Sequence, residues 1–185
     1  MNQIHLKSER LDIKPIEISD LEAIHQLLSL PETDEFNTLG ILESIVQSKA
    51  IVVTWISENQ KINNQSFTFS ITFQMQLIGL IALNLGKEKY RNAEVWYKLH
   101  PDFWNKGFAT EALKALINFG FNDLKLHRIE AGCAVENIGS IRVLEKVGMN
   151  MEGRKRQHLP LKTGWSDNFG YAILSSDLKN TIKKN

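Results

Sequence analysis

The chain has 185 residues, 43% of them hydrophobic, and its 22 basic residues nearly balance 21 acidic ones for a formal net charge of +1. That length suits one domain with a sizeable core, and the charge balance excludes both a nucleic-acid-binding stripe and an acidic polyamine trap written into the overall composition. A single cysteine, Cys133, excludes an internal disulfide. The N-terminus MNQIHLKSERL has no apolar signal core, and the longest apolar run, LIGLIAL over 77–83, is too short to span a bilayer. A cytoplasmic protein with no membrane or direct nucleic-acid partner is expected.

In chain order, RLDIKPI (10–16) alternates as a strand does, and Pro15 ends its pairing. Ser19 followed by Glu22 has the form of a capping box, and Leu21, Ile24, Leu27 and Leu28 mark one face of a helix that Pro31 stops. From about Leu39 to Trp55, apolar residues at 42, 45, 46, 50 and 53 suggest a second amphipathic helix, although AIVVTWI reads equally as strand. SFTFSITF (66–73) sets Phe67, Phe69, Ile71 and Phe73 on one side with a period of two, and LIGLIALNL (77–85) follows as the second arm of a hairpin. AEVWYKLH (93–100) alternates next.

A helix over about Phe108–Asn122 follows from the spacing of Ala109, Ala112, Leu113, Leu116 and Gly120. HRIEAGCAV (127–135) reads as strand and SIRVLEKV (140–147) as a short helix closed by Gly148. MEGRKRQHL and SDNFGYAIL form a closing strand pair around the Lys162–Gly164 turn. The sum is an α+β fold, one domain over 1–185. Its mixed, mostly antiparallel sheet has about seven strands, with about four helices divided between both faces.

Gly107 stands at the mouth of the 108–122 helix, behind Lys106. A helix N-terminus carries unpaired N–H groups and the positive end of the helix dipole, a natural seat for phosphate, and glycine permits close approach of the backbone. Neither familiar phosphate loop is present: there is no G-x-G-x-x-G, and LGKEKY (85–90) lacks the remaining residues of a P-loop. Taken alone, Gly107 reads equally as a plain turn glycine. The strand at 127–135 also runs through a polar turn into a helix, which would set two helix starts at one end of the sheet, where a crevice can form. In that second turn Asn137 suits a helix N-cap and Ser140 an early-turn serine.

These stretches resemble a family. FWNKGFATEALKAL resembles the acyl-CoA pyrophosphate loop and following helix of the GNAT superfamily of N-acetyltransferases, and HRIEAGCAVENIGSIRVLEKVGMNMEGRKR resembles the next block in its RimJ/RimL-type branch, whose named members acetylate N-terminal amines of ribosomal proteins. SERLDIKPIEISDLEAI and WSDNFGYAIL extend the likeness over nearly the whole chain. The resemblance implies a sheet splayed at the acyl-CoA site, with backbone amides of Asn105, Lys106, Gly107, Phe108, Ala109 and Thr110 around the pyrophosphate of coenzyme A. It implies that the AEVWYKL strand leaves its neighbour at a bulge to pair with the pantetheine arm. The Leu99 N–H would face the thioester oxygen. Asn137 matches the family's pantetheine-contacting asparagine, and Ser140 the serine of the cofactor pocket that protonates the departing thiolate. Two positions depart from the pattern: Trp104 stands where Gln or Arg is common, and Gly139 where alanine is.

The implied co-substrate is acetyl-CoA, and the acceptor an amine of a protein N-terminus or a small molecule. At pH 7 an α-amine is roughly one-tenth neutral and a lysine side chain only about once in a few thousand molecules, so an α-amine asks less of a general base. Glu94, His100 and Glu130 are the candidate bases, with His100 nearest the expected thioester. Cys133 reads as a buried structural residue. No metal is expected, since the five histidines show neither H-E-x-x-H nor Cys/His spacing. Acetylation of a small amine and non-catalytic acyl-CoA binding are the competing readings, and a monomer or a symmetric homodimer fits either.

Overall fold

A single twisted sheet organises the chain in a computed structural model that describes residues 4–6 and 8–182. Its strands are β1 (Asp12–Pro15), β2 (Ser66–Phe73), β3 (Gln76–Leu85), β4 (Asn92–Leu99), β5 (Arg128–Ala134), β6 (Asn150–Leu161) and β7 (Gly164–Leu174). They lie in the order β1-β2-β3-β4-β5-β7-β6. Neighbours run antiparallel except β4 and β5, which are parallel and joined through the crossover helix α3 (Phe108–Asn122). The expected hairpin is β2–β3. Gln74 and Met75, with φ of +48° and +65°, form the left-handed pair that a two-residue hairpin loop demands.

Helices cover both faces. On one, α3 and α4 (Ile138–Lys146) bury a core that includes Phe67, Phe69, Leu83, Val95, Leu113 and Ile129. On the other, α1 (Leu21–Leu28) and α2 (Ile45–Gln60) bury Ile24, Leu27, Leu28 and Val52 against Leu80. Because both faces of β2 are covered, its polar alternation ends up inside, with Thr68 and Ser70 fully buried. Pairing of β1 stops at Pro15 as expected. Beyond it, the Asn59 side chain of α2 substitutes for a strand, donating to Thr68 O at 2.8 Å and accepting from Thr68 N–H at 2.9 Å.

Several expectations are corrected. The reciprocal cap near α1 uses Glu17 and Asp20 rather than Ser19 and Glu22, with the Asp20 carboxylate accepting from Glu17 N–H at 2.9 Å, because a 3-10 turn precedes the helix. The stretch open between helix and strand is helix α2. It begins at Ile45, where Ser44 and Gln47 cap each other, and buries Ser48 and Val52 while Val46 and Val53 face solvent. A fifth helix, α5 (Ser175–Ile182), was not expected, since its composition is polar; Asp177 caps its start by accepting from Leu174 N–H at 2.9 Å. No helix among the described residues is long and apolar enough to cross a membrane.

Candidate active site

The parallel ladder between β4 and β5 lasts three residue pairs, from Asn92↔Arg128 to Glu94↔Glu130, and then the strands part. Each stays bound on its outer side: β4 to β3 as far as Gly79↔Leu99, and β5 to β7 as far as Ala134↔Asn168. The bulge expected in β4 is absent, since its register with β3 is unbroken. Divergence falls instead at the one interface that has no further bonds to lose. Alternation of an antiparallel ladder fixes what lines the opening. His100 N–H donates to Ile78 O at 2.8 Å, so the even residues of β4 bond to β3 and the odd ones, Tyr97 and Leu99, turn their peptide groups toward the split. By the same rule Ser175 N–H to His127 O places the Gly132 and Ala134 peptides on the facing wall.

One hydrogen bond and one close backbone approach fix Leu99 there. The Trp104 indole N–H donates to Leu99 O at 2.8 Å, a role for Trp104 that the sequence did not reveal. Across the ladder, a Cβ on Gly79 would lie 2.5 Å from Lys98 O, in the same peptide unit as the Leu99 N–H. Gly79 therefore lets β4 approach closely at the point where its end is aimed.

Beyond β4 the chain turns through Asn105 (φ +58°) and Gly107 (φ +80°) into α3. The first intrahelical bond runs from Glu111 N–H to Gly107 O at 3.0 Å, so the N–H groups of Phe108, Ala109 and Thr110 precede it at the positive end of a 15-residue helix. Arg10 clasps this turn. Its guanidinium lies 4.4 Å from the Phe108 ring centre, bonds to Lys106 O, and meets the Glu111 carboxylate at 2.6 Å. The Lys106 ammonium lies over the Phe103 ring. This loop is shaped to take an anion such as a diphosphate on its backbone.

Because β4 and β5 are parallel, α4 starts at the same end of the sheet as α3. Asn137 caps α4 by accepting from Ser140 N–H at 3.0 Å. The Ser140 hydroxyl lies 2.7 Å from the hydroxyl of Tyr97, reaching across the split. Burial raises the Tyr97 phenol, against a smaller lowering by that hydrogen bond. Burial likewise pushes the Cys133 thiol up to about 11, with Ser140 again a partial offset. Cys133 is thus buried and protonated, as its sequence context suggests.

The model of the acetyltransferase (GNAT) domain matches residues 10–150 of the sequence. The chain belongs to this family. As a GNAT protein it is an acetyl-CoA-dependent N-acetyltransferase. It is 31% identical to the uncharacterized N-acetyltransferase YnaD of Bacillus subtilis, over 94% of this chain and 99% of the relative. Its fold is similar to that of Mycobacterium smegmatis RimJ in complex with CoA-disulfide, with a TM-score of 0.87 at 21% identity, covering 96% of this chain and 90% of that one. It is also similar to Vibrio cholerae spermidine N-acetyltransferase in complex with CoA and spermine, with a TM-score of 0.80 at 25% identity, covering 90% and 96%.

The three candidate bases of this GNAT chain are not brought together. Glu94 and Glu130 face each other at the closed end of the split, and Glu130 is engaged by Arg128 at 2.6 Å, which also binds Glu152. His100 follows Leu99 at the open end, where its Nδ1 accepts from Asp102 N–H at 3.3 Å and its ring meets Phe103 edge-on.

Proposed function

We propose that this N-acetyltransferase acts on the α-amine of a peptide or protein N-terminus, by direct attack within a ternary complex, and that residues 1–185 work as one acyltransferase unit. The observation that carries the reading is the Tyr97–Ser140 hydrogen bond spanning a split into which the Leu99 peptide also turns. Amides from Asn105 to Thr110, including those of Lys106 and Gly107, hold the diphosphate of the co-substrate, while Asn137 braces Ser140 and borders the pantetheine arm. Leu99 N–H receives the oxygen on which charge develops during attack. Ser140, backed by the protonated Tyr97, gives a proton to the departing thiolate.

The acceptor must then arrive already able to lose its proton. Glu130 is committed to Arg128, and the Nδ1 of His100 already accepts from Asp102 N–H, so each candidate has a partner of its own. An α-amine, neutral roughly one time in ten at pH 7, suits such a site far better than a lysine side chain.

The test is thiol release from acetyl-CoA across a panel of free α-amine peptides, N-blocked lysine peptides and small amines, including polyamines and amino acids. Turnover of the free α-amine peptides is expected. Turnover of small amines alone would move the assignment to a small-molecule acetyltransferase, and coenzyme A binding without turnover of any amine would leave a non-catalytic module.

A further inference from the structure

The turn that leads into α3 is not held by its own residues alone. Arg10, just ahead of β1 and 96 residues before Lys106, reaches it with a side chain that is 41% exposed. Both terminal guanidinium nitrogens donate to Lys106 O at 3.3 Å, and Nε donates to the Glu111 carboxylate at 2.6 Å. A Cβ on Gly107 would lie 3.5 Å from the same guanidinium, so the cation stands beside the mouth of the helix. The Arg10 backbone N–H and the Ser8 hydroxyl complete the grip on Glu111.

Two consequences bear on an anion seated at that mouth. The Lys106–Gly107 peptide is trans and planar, so its oxygen and its N–H point in opposite directions. Anchoring Lys106 O on Arg10 thereby turns the Gly107 N–H away from the guanidinium, and at φ +80° glycine follows that path without strain. The second consequence is electrostatic. Glu111 lies in the first turn of α3, where its carboxylate would repel a diphosphate at the helix N-terminus. It is ionised at neutral pH: burial raises its carboxyl, but the bonds from Ser8 and Arg10 outweigh burial and hold it below the ordinary 4.5. Its side chain is only 16% exposed, so salt screens it little, and Arg10 cancels the charge where it stands.

We infer that Arg10 is a positioning residue for the co-substrate: it aims the Gly107 N–H at the diphosphate of coenzyme A and shields that diphosphate from Glu111. This rests on the diphosphate lying at residues 105–110 and adds what holds that seat in shape and in charge.

The experiment measures Kd by calorimetry for coenzyme A and, by displacement, for pantetheine, which lacks the diphosphate. In Arg10→Ala the Kd for coenzyme A should rise about 30-fold, roughly tenfold for an uncancelled charge and roughly threefold for a misaimed hydrogen bond, while that for pantetheine changes far less. Arg10→Ala/Glu111→Gln is the deciding variant. A clasp that only holds the fold is not restored by removing its other half, whereas removing the uncancelled charge should return about tenfold of the lost affinity. Arg10→Lys keeps the charge without the planar fork and should cost about threefold; it serves if the alanine variant melts below the assay temperature. An equal rise in Kd for both ligands in Arg10→Ala, no rise for coenzyme A in either single variant, or a double variant that binds no better than Arg10→Ala overturns the inference. The parent separates this from a failure of the seat itself. If the parent binds pantetheine as tightly as coenzyme A, the diphosphate does not lie at the mouth of α3 and both readings fall. If it prefers coenzyme A and the Arg10 variants keep that preference, Arg10 alone is struck.

Discussion

Ser140 is where two interactions converge: its N–H is capped by Asn137, and its hydroxyl meets the hydroxyl of Tyr97 at 2.7 Å. Since burial keeps both the phenol and the thiol protonated well above neutral pH, the cluster is a store of protons beside the expected sulfur rather than a source of nucleophile. Ser140→Ala is therefore expected to lower kcat by about 100-fold or more, the usual range for losing a general acid, while the Kd for coenzyme A changes little. Single-turnover rates and calorimetry on the same protein check this, and parental rates in the variant would remove Ser140 from the chemistry. Gly79 tests the opposite wall. Its Ala variant must push Lys98 O, which a Cβ would approach at 2.5 Å, and so re-aim the Leu99 N–H. A shift of about 1 Å can cost roughly 100-fold, and the loss is expected in kcat rather than in KM. The positions of Leu99, Asn137 and Ser140 were legible because they sit at fixed places within contiguous motifs. Tyr97 was not, since a tyrosine on the inward face of a strand reads as core and its partner lies 43 residues away. Trp104 and Gly79 act through contacts that likewise depend on the tertiary path.

At the scale of elements, α3 was readable to its ends because a period-3.6 apolar face, a glycine at the mouth and a polar exit agree. The face of α2 was not, because that helix rests on a polar strand surface and buries a serine; Ser48 bonds His25 Nδ1 at 2.8 Å. What fixes α3 against the start of the chain was also hidden: Arg10 and Ser8 both reach Glu111, about a hundred residues away. Burial would raise the Glu111 carboxyl, but the hydrogen bonds from Ser8 and from the backbone and side chain of Arg10 outweigh it, so its pKa lies below the ordinary 4.5. A depressed folded-state pKa means stabilisation that is present above the unfolded value and is lost as pH falls through the folded one. Glu111→Gln should accordingly cost about 1–2 kcal/mol at neutral pH, a melting shift of roughly 2–8 °C in a chain of this size. The gap between variant and parent should close in melts taken below pH 4. A constant gap from pH 7 to 3 would show that the carboxylate charge is not what holds the turn.

The whole molecule makes the split by being well bonded everywhere else. β4 is tied to β3 over seven pairs and β5 to β7 over seven, while the two inner strands share only three. No local residue pattern encodes this, which is why the order of strands and helices was legible in the sequence while the cause of the opening, expected as a bulge within β4, was misplaced. The alternation of the β4 ladder turns this architecture into a residue-resolved test. N–H groups of Trp96, Lys98 and His100 are spent on β3, and those of Tyr97 and Leu99 face the opening. A pantetheine arm lying in the split as an added strand would recruit the second set and leave the first unchanged. Amide exchange measured with and without coenzyme A should then show protection rising at Tyr97 and Leu99 but not at their even-numbered neighbours, together with slower exchange at Phe108, Ala109 and Thr110 where the diphosphate docks. At a ligand concentration of about 100 times Kd, global stabilisation near 2.7 kcal/mol slows exchange at sites that open by full unfolding, so the odd-even contrast is to be read among amides that open locally. Equal gains on odd and even residues, or gains confined to α3, would mean that the thioester arm does not thread between β4 and β5, and the roles given to Leu99 and Ser140 would fall with it.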